Sequence, residues 1–388
     1  MMPRRSFLLL ATLCLTGCHH GKPSPAVSSS LTVPPLPGST HPEYTITDIG
    51  EGMPSGINNR GQVVGLSPIG KAQPGKPPPY HGFLWSNGTR TEMPTLGGTY
   101  SNAESIDDAG RILGTASVPG RTRTGFPIDH LCLWDGRTLT DLEANPKFRG
   151  ILAPHLIRSS GAMYAVSPPQ CPDGTQHLWF YPNGIRPGPR FDRGRISPSF
   201  LRPKAINDKG TVIGQWAIKA KRHGNAAEQG FIWHLGDTHF TGLGTLGGQE
   251  SEAVAVTNSD QVVGDSQPHG EMGAYQYSHA FLWKNGKMRD LGTLLHTDYS
   301  QSRAYAVSGS LIVGSSNAKG DPNSHPVLWS QDQIKDLSLL IPRGTNWIAL
   351  VDAMHINNRG QIIGEGLVTG DNYIHTYLLT PLKNGKTL

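Results

Sequence analysis

The stretch Ile57-Asn58-Asn59-Arg60-Gly61-Gln62-Val63-Val64-Gly65 decides the fold, because it recurs along the chain at an even spacing. It returns, for example, as Ile106 to Gly114 and as Val256 to Gly264, and a weaker copy runs from Ile157 to Ala165. An even period of about 50 residues is the signature of a repeat architecture. The copies begin at Ile57, Ile106, Ile157, Ile206, Val256, Val307 and Ile356, which lie 49 to 51 residues apart.

A second repeated block follows each copy and completes a pattern of four short strands, a to d, in every unit. His81-Gly82-Phe83-Leu84-Trp85 is one example, and the pair Asn87-Gly88 comes directly after it. Asn-Gly favours a two-residue hairpin because both positions accept positive φ. A short strand ending in Asp-Leu, as in Ile334 to Leu337, precedes the next unit. Four antiparallel strands per repeat are typical of a propeller blade.

The two ends of the repeat region complement each other. The segment from Tyr44 to Gly50 has the pattern of a strand d with no unit before it, whereas the last unit ends after Leu382 without a good strand d. Pairing these ends would protect strand edges that otherwise favour aggregation. We therefore expect an all-β fold over residues 44–388: a seven-bladed β-propeller with four antiparallel strands per blade, closed by the N-terminal strand.

Composition agrees with an all-β chain and argues against several other classes. The 388 residues include 48 Gly and 31 Pro, too many for a helical protein, and only 16% are charged. The net charge is +5, with no Lys/Arg tract and no basic stripe with aromatic residues. This pattern gives little support for nucleic-acid binding. We expect a monomer that needs no cofactor and no metal.

The N-terminal 43 residues are expected to be an address and a tether. Arg4 and Arg5 precede an apolar run from Phe7 to Leu15, which is of signal-peptide length. Leu15-Thr16-Gly17-Cys18 resembles the bacterial lipobox, which implies a signal peptide over 1–17 and lipid attachment at Cys18. The alternative is an ordinary secretory signal. Residues 18–43 are rich in Pro and Ser and predict a flexible tether.

The destination follows from the same resemblance. Lipoproteins retained at the inner membrane typically carry Asp after the acylated Cys, and this chain has His19 there. The resemblance therefore implies an outer membrane lipoprotein, on the periplasmic or the cell-surface side. Export also permits a disulfide between Cys132 and Cys171. The alternative is two separate thiols, with Cys132 buried in a strand.

The segments His279-Ala280-Phe281 and Asp290 to Leu294 resemble the HAF-repeat family of extracellular bacterial proteins. The resemblance covers about residues 44–382. It implies an exported repeat protein and assigns no chemistry. The third unit departs most, because it lacks the Val-Val-Gly core and the Asp-Leu strand.

Most repeated residues are expected to serve the scaffold. The Trp that closes strand c should pack between blades. The His that opens strand c could bind metal, but one His per blade would spread around the disc. A hydrogen bond within the blade is the preferred role, and the Asp of strand d could orient this His or cap the turn. The His residues are His81, His130, His177, His279, His325 and His375.

Ligand binding is predicted where the blades differ. If strand a is innermost, the variable b-to-c loops share one face and the uniform a-to-b turns share the other. Variable loops on a uniform scaffold are where function concentrates. Four residues before each anchor, the channel mouth would hold Met53, Asn102, Ala153, Arg202, Glu252, Arg303 and Asp352. Asp265 and Glu365 add carboxylates to this face. The alternative role is a ring of salt bridges between neighbouring blades.

Two function classes remain open. The first is a non-enzymatic binding or scaffold module for a glycan or an envelope protein, because no nucleophile motif, metal-ligand cluster or phosphate loop is visible in the sequence. The second is a carbohydrate-active enzyme, a glycosidase or lyase, in which two carboxylates such as Asp265 and Glu365 would act as acid and base. That pair would need a separation of about 5–10 Å.

Overall fold

The computed structural model describes residues 36–70, 78–123, 125–145, 152–156, 163–166, 177–181, 184–187, 202–218, 227–268, 277–295, 300–318, 321–383 and 386–387. The fold is all-β, with one short 3-10 helix at Leu337–Leu339 among these residues. In the described part, no helix has the length and apolar character needed to cross a membrane. The predicted signal peptide, Cys18 and most of the tether lie outside the described residues.

Six of the sheets are four-stranded and antiparallel, and each uses four consecutive strands of the chain. The first three sheets are β2 (Met53–Ile57), β3 (Val63–Pro68), β4 (Tyr80–Ser86) and β5 (Thr89–Glu92); β6 (Ser101–Ile106), β7 (Ile112–Arg121), β8 (Pro127–Trp134) and β9 (Leu139–Asp141); and β10 (Leu152–Leu156), β11 (Met163–Val166), β12 (His177–Tyr181) and β13 (Gly184–Pro187). The next three are β14 (Arg202–Ile206), β15 (Thr211–Ile218), β16 (Ala227–His234) and β17 (Thr241–Gly244); β18 (Ser251–Val256), β19 (Val262–Ser266), β20 (His279–Lys284) and β21 (Lys287–Asp290); and β22 (Ser302–Ser308), β23 (Leu311–Ala318), β24 (Asp321–Ser330) and β25 (Gln333–Asp336).

The remaining sheet joins the two ends of the chain. Its strands are β1 (Tyr44–Glu51), β26 (Trp347–Ile356), β27 (Ile362–Val368), β28 (Ile374–Lys383) and β29 (Lys386–Thr387), in the order β1-β28-β27-β26 with β29 also on β28. Strand β1 runs antiparallel to β28 from Tyr44 opposite Pro381 to Glu51 opposite His375. The N-terminal segment thus occupies the position of strand d.

The predicted count of seven equal four-stranded blades is wrong. Six sheets have four strands, and the composite sheet has five because the chain continues past β28 into β29. The sheets are also not closed by strand pairing, since none of the described sheets shares a ladder of backbone hydrogen bonds with another.

Strand a of most sheets contacts strand a of the next sheet, as expected for an innermost strand, and it carries a β-bulge. First strands of consecutive sheets contact each other, as β14 does with β18 and β18 with β22. In β18 the register shifts between Ala253 and Ala255, so Val254 has no partner across the ladder. A bulge adds one residue to one strand and bends it. The equivalent unpaired residues, called here the bulge residues, are Ser55, Glu104, Lys204, Val254, Tyr305 and Met354.

The core lies between neighbouring sheets. Ile213 and Ile232 of one sheet pack in one cluster with Val262, Phe281 and Trp283 of the next. The predicted packing of the strand c Trp between sheets is therefore confirmed. Burying such a side chain stabilises the fold by about 2–3 kcal/mol. The buried members of this set are Trp134, Trp233, Trp283 and Trp329.

The repeated His and Asp form hydrogen-bonded pairs across strands c and d. His279 Nδ1 lies 2.8 Å from Asp290 Oδ2, and the same carboxylate group accepts a 2.7 Å hydrogen bond from Gly292 N. One Asp therefore orients the His and caps the turn after the strand. The predicted hydrogen-bonding role is confirmed for four of the six His residues, whereas His81 Nδ1 lies 3.9 Å from Glu92 Oε2 and the His177 side chain is outside the described part. The equivalent contacts are His130–Asp141, His325–Asp336 and, between the chain ends, His375–Asp48.

The a-to-b turns of neighbouring sheets are also hydrogen-bonded to each other. Asn58 Nδ2 donates to Asp107 O at 2.9 Å, and Asn207 Nδ2 donates to Thr257 O at 2.8 Å. The same contact joins the last turn to the first, where Asn357 Nδ2 donates to Asn58 O at 2.9 Å. These amides stabilise the packing of one sheet on the next because each satisfies a backbone carbonyl.

Candidate functional site

The predicted site residues lie at one level of the sheets. Asn102, Arg202, Glu252, Arg303 and Asp352 occupy equivalent positions of strand a, four residues before the anchor; the first four stand near the start of their strands and Asp352 in the middle of β26. Asp265 is directly opposite Glu252, and Glu365 is directly opposite Asp352. These seven residues are called here the inner-rim residues. Only the backbone of Ala153 in β10 is described, and Met53 is opposite Leu66.

The four charged residues that stand four before their anchors, Arg202, Glu252, Arg303 and Asp352, form no ion pairs with one another, so the ring of salt bridges among them is not seen. Glu252 instead forms an ion pair with Lys204 of the preceding sheet, with Oε1 and Nζ 2.6 Å apart. Arg202 Nη1 lies 3.5 Å from Glu228 Oε2 of its own sheet, and its side chain is 57% exposed. Ion pairs with such exposed partners contribute little to stability. Arg202 therefore keeps a largely accessible guanidinium at the rim.

Arg303 and Asp265 connect the next two sheets. Arg303 Nε lies 3.8 Å from Asp265 Oδ2, and the Asp265 side chain is only 12% exposed. The Asp265 carboxylate raises the pKa of Arg303. Burial raises the pKa of Asp265, although Arg303 opposes that shift. The pair is thus a partly desolvated ion pair at the interface between two sheets.

Asp352 and Glu365 are two neighbouring carboxyl groups of the inner rim whose pKa values are both raised by burial. Ser324 Oγ donates to Asp352 Oδ1 at 3.2 Å, and burial raises the pKa of Asp352. Burial also raises the pKa of Glu365 to about 7, and the neighbouring Asp352 carboxylate adds to the shift. A carboxyl group with a pKa of about 7, such as Glu365, is partly protonated near neutral pH and can then donate as well as accept a hydrogen bond.

Asp265 and Glu365, the acid/base pair expected from the sequence, lie in two sheets between which the β22–β25 sheet stands in chain order, and their pairing stays a prediction. Asp265 has Glu252 as its cross-strand neighbour and Arg303 as its ion-pair partner, whereas Glu365 has Asp352. The two carboxyl groups with matched surroundings are therefore Asp352 and Glu365, a combination that the repeat pattern alone does not select.

The bulge residues add side chains that sequence reasoning missed. Lys204 supplies the partner of Glu252, and Tyr305 OH accepts a 3.2 Å hydrogen bond from Ser315 Oγ. Burial raises the pKa of Tyr305, and it raises the pKa of Glu104 to about 7. Ser55 Oγ donates to Ala103 O of the next sheet. The available signal was the Gly of strand b, which leaves room for a bulge.

The described part of the chain has no candidate metal site and one cysteine, Cys132. Those residues contain no group of three or more His, Cys, Asp or Glu side chains arranged to hold a metal ion. Cys132 is fully buried, and burial raises the pKa of its thiol, so it is a poor nucleophile. Cys132 is free of any disulfide to a described residue. Cys171 lies outside the described residues, so the pairing of Cys132 with Cys171 stays a prediction.

Replacing Glu365 by Gln is expected to stabilise the protein at pH 8 by about 1–3 kcal/mol and to change little at pH 5. The folded-state pKa of about 7 lies above the value of 4.5 for an unperturbed Glu. Folding stability therefore falls as pH rises from the lower value through the higher one, and an amide avoids this loss. Urea unfolding at both pH values measures the difference.

The matched control is Glu43→Gln, just before β1, where the carboxylate is 49% exposed and its ion-pair partner is Lys335. A lysine is charged at both pH values, so this variant is expected to behave alike at pH 5 and pH 8. If Glu365→Gln and Glu43→Gln show the same pH dependence, the Glu365 carboxyl is not desolvated.

Comparison with known proteins supports the fold and no more. No protein-family model matches the sequence, and no curated protein matches it. Among solved structures, the β-propeller domain of the Trilobed protease from Pyrococcus furiosus has a TM-score of 0.54 at 10% identity, covering 86% of this chain and 93% of that chain. That domain has an open velcro topology.

Two peptidases show the same likeness. The acylaminoacyl peptidase of Pyrococcus horikoshii has a TM-score of 0.54 at 10% identity, with 88% of this chain and 52% of that chain covered. An acylaminoacyl peptidase in complex with Z-Gly-Gly-Phe-chloromethyl ketone has a TM-score of 0.51 at 11% identity, with 87% and 51% covered. This chain spans about half the length of these two peptidases. At such identities the likeness shows that the chain is a β-propeller.

Proposed function

We propose that this β-propeller is a binding or scaffold module of the bacterial envelope, and that its ligand binds at the inner rim. The observation that carries the proposal is the concentration of charged and polar side chains there in the later sheets, against an otherwise repeated scaffold. Arg202, Glu252 and Arg303 hold equivalent positions in three consecutive sheets. A scaffold role alone would favour the same residue in each sheet.

The inner rim lies at the end of the sheets where the variable connections begin. Asp265 and Glu365 follow the Gly of strand b, and the b-to-c connections start just beyond them. The opposite end carries the short hydrogen-bonded turns. Binding residues are commonly placed on variable loops above a rigid scaffold. This asymmetry favours the loop face over the turn face.

The chemistry of the inner rim suits a polar, largely neutral ligand. Lys204–Glu252 and Arg303–Asp265 are compensated pairs, and Glu365, beside Asp352, adds a carboxyl group that can donate a hydrogen bond when it is protonated. Sites with many donors and acceptors and little uncompensated charge match sugar hydroxyls or a peptide main chain. A glycan or an envelope protein is therefore the proposed ligand class.

The wider setting is also part of the proposal. The six four-stranded sheets and the composite sheet would act as seven packed units around one axis. Support comes from the hydrogen bond of Asn357 to Asn58 and from the contacts of β2 with β26 and β27. The HAF-repeat resemblance and the lipobox at Cys18 support an outer membrane lipoprotein held by its acylated N-terminus.

A carbohydrate-active enzyme is the second candidate, and one observation favours it. Glu365 has a pKa of about 7 beside Asp352, whose environment also favours the neutral form. A carboxylic acid that keeps its proton near neutral pH can serve as a general acid. In such an enzyme, Glu365 would donate its proton to the leaving group, and the neighbouring Asp352 carboxylate would help to keep Glu365 protonated before that step.

One screen separates the candidates and tests the site. The full chain is exposed to a glycan array and to solubilised envelope proteins, with binding and release of cleaved saccharide measured together. Arg303→Ala and Glu252→Ala are expected to weaken binding by about tenfold or more, since each removes a charged group from the rim, and Arg303→Ala also leaves the buried Asp265 without its counter-charge. Saccharide cleavage that Glu365→Gln abolishes would instead establish the enzyme.

The control is Arg289→Ala on β21, whose side chain is 52% exposed, compared with 46% for Arg303. It makes the same change at similar exposure on the outer strand and should leave binding unchanged. Ligand binding that survives Arg202→Ala, Glu252→Ala and Arg303→Ala alike would contradict the assignment of the inner rim.

A further inference from the structure

His375 bridges the two ends of the chain. It lies on β28 opposite Glu51 of the N-terminal strand. Its Nδ1 is 2.9 Å from Asp48 Oδ1 and 3.0 Å from Oδ2, and its Nε2 is 3.0 Å from Asp371 Oδ2. One imidazole therefore contacts a carboxylate of β1 and a carboxylate of the connection between β27 and β28.

The equivalent His of another sheet shows what is special here. His279 Nδ1 contacts Asp290 in the same way, but its Nε2 lies 3.4 Å from Ser300 Oγ. A serine hydroxyl can donate or accept, so it suits a neutral imidazole as well as a charged one. Asp371 is the feature that the last sheet adds to the repeated His–Asp pair.

Two carboxylates on one imidazole require two N–H donors. A neutral imidazole has one N–H, and only the imidazolium donates from both nitrogens. Burial lowers the pKa of His375, but the hydrogen bonds and charges of Asp48 and Asp371 outweigh it and raise the pKa above its usual range. The geometry and the electrostatics therefore agree on a protonated ring.

The groups around this bridge make proton loss costly. Glu51 of β1 is close enough for Asp371 to raise its pKa in addition to burial, while His375 and Arg90 oppose that shift. Arg90 Nη1 from β5 also donates to Glu51 O at 2.8 Å. Trp347 of β26 packs edge-on to the imidazole, with ring centroids 6.4 Å apart. Without the imidazolium, Asp48 and Asp371 would lose the cation that they share, and Arg90, which also interacts with Glu92, would act on Glu51 alone of these three carboxylates.

We propose that Asp48, His375 and Asp371 form a proton-operated latch that holds the N-terminal strand in the last sheet. With the ring protonated, both carboxylates are tied and β1 is fixed. With the ring neutral, one hydrogen bond is lost and the remaining carboxylates repel one another. The strand and the 369–373 connection then open more often, on the side of the fold where the inner rim lies.

The direction of the pH effect follows from the raised pKa. The stabilisation is fully present below the pKa of an unperturbed His and is lost as pH rises through the folded-state value. The latch is therefore closed in mildly acidic surroundings and loosened in mildly alkaline ones. A chain exported beyond the cytoplasm would meet such changes directly.

Hydrogen exchange of the full chain at pH 6.0 and 8.5, corrected for intrinsic exchange, tests the latch. Between pH 6.0 and pH 8.5, the corrected exchange rate of amides in residues 44–51 is expected to rise about tenfold more than the rate of amides in β21. A factor of this size corresponds to the loss of one charge-assisted hydrogen bond. β21 is the internal control because its Asp290 pairs with His279 of β20, whose second nitrogen faces the Ser300 hydroxyl instead of a second carboxylate. His375→Gln and Asp371→Asn should each bring the two responses to the same value.

A second measurement applies even if a variant folds poorly. The NMR chemical shifts of the imidazole nitrogens in the wild-type protein report whether both ring nitrogens of His375 carry protons. The latch predicts an imidazolium at pH 6.5, where half of unperturbed His residues are neutral. A neutral ring at that pH, or equal pH responses of β1 and β21 in the wild-type protein, would overturn the proposal.

Discussion

Replacing Gly264 by Ala is expected to lower the free energy of unfolding by about 3 kcal/mol. A Cβ at this position would clash with the Glu252 carbonyl oxygen and would lie 2.9 Å from the carbonyl carbon. Both atoms belong to the backbone of the bulged strand, which cannot move aside as a flexible side chain would. Urea unfolding of the variant and the wild-type protein measures the loss.

Gly242→Ala is the matched control. Gly242 also lies in a strand, β17, and the nearest atoms to an added Cβ are 3.7 and 3.9 Å away on the Trp216 ring. These are ordinary contact distances, and Ala is less costly to order than Gly in a strand. The control should therefore be neutral or slightly stabilising. Equal changes in the free energy of unfolding for Gly264→Ala and Gly242→Ala would show that the strand a carbonyl does not approach Gly264 closely.

The same close approach explains why the repeat ends in Gly. In each of six sheets, an added Cβ at the strand b Gly would clash with the carbonyl oxygen of the strand a residue four before the anchor. The bulge forces this approach, because the extra residue pushes the inner strand toward its neighbour. The glycines concerned are Gly65, Gly114, Gly214, Gly264, Gly314 and Gly364.

Much of the fold could be predicted from the repeat. The even spacing, the Asn-Gly turns and the period of the apolar residues carry local information, and each determines a strand or a hairpin. The pairing of β1 with β28 was also predictable, since Ile46-Thr47-Asp48-Ile49 has the pattern of strand d. The number of strands in the last sheet was not predictable, because the added strand β29 has only two residues, Lys386 and Thr387.

The candidate site was predicted by position but not by pairing. Counting from the anchors located Glu252 and Arg303 correctly. Their partners depend on the bulge, which turns Lys204 toward Glu252. Side-chain pairs between sheets involve residues far apart in the chain, and no spacing rule within one repeat encodes them. The Asp371 contact of His375 was missed for a similar reason, because Asp371 lies in a connection that no other unit repeats.

Removing strand β1 is expected to have the largest effect on the fold. Tyr44 and Ile49 are buried, and each stabilises the fold by about 2–3 kcal/mol. Ile49 packs with Ile57 and Phe83 of the first sheet as well as with Leu378 of the last. The summed loss of about 5 kcal/mol or more is comparable to the whole stability of an ordinary domain. A chain that lacks residues 1–51 should therefore unfold in little or no urea and aggregate.

The control chain lacks only residues 1–35. It keeps the segment from Leu36 to Glu43, where Leu36 N donates to Trp347 O and Glu43 N to Leu340 O. This chain should unfold cooperatively at the wild-type urea concentration. Similar midpoints for the two shortened chains would show that β1 contributes little.

Oxidative cross-linking of the chain ends tests the central claim most directly. Thr45 and Thr380 are direct partners across β1 and β28. Cysteines at such positions have Cα atoms about 4.5–5.5 Å apart, within disulfide range. Thr45→Cys with Thr380→Cys should form one intramolecular disulfide, identified by peptide mapping against Cys132 and Cys171. Thr45→Cys with Thr376→Cys, four residues along β28, should form none. Equal yields for the two pairs, or no disulfide in the first, would contradict the placement of the N-terminal strand in the last sheet.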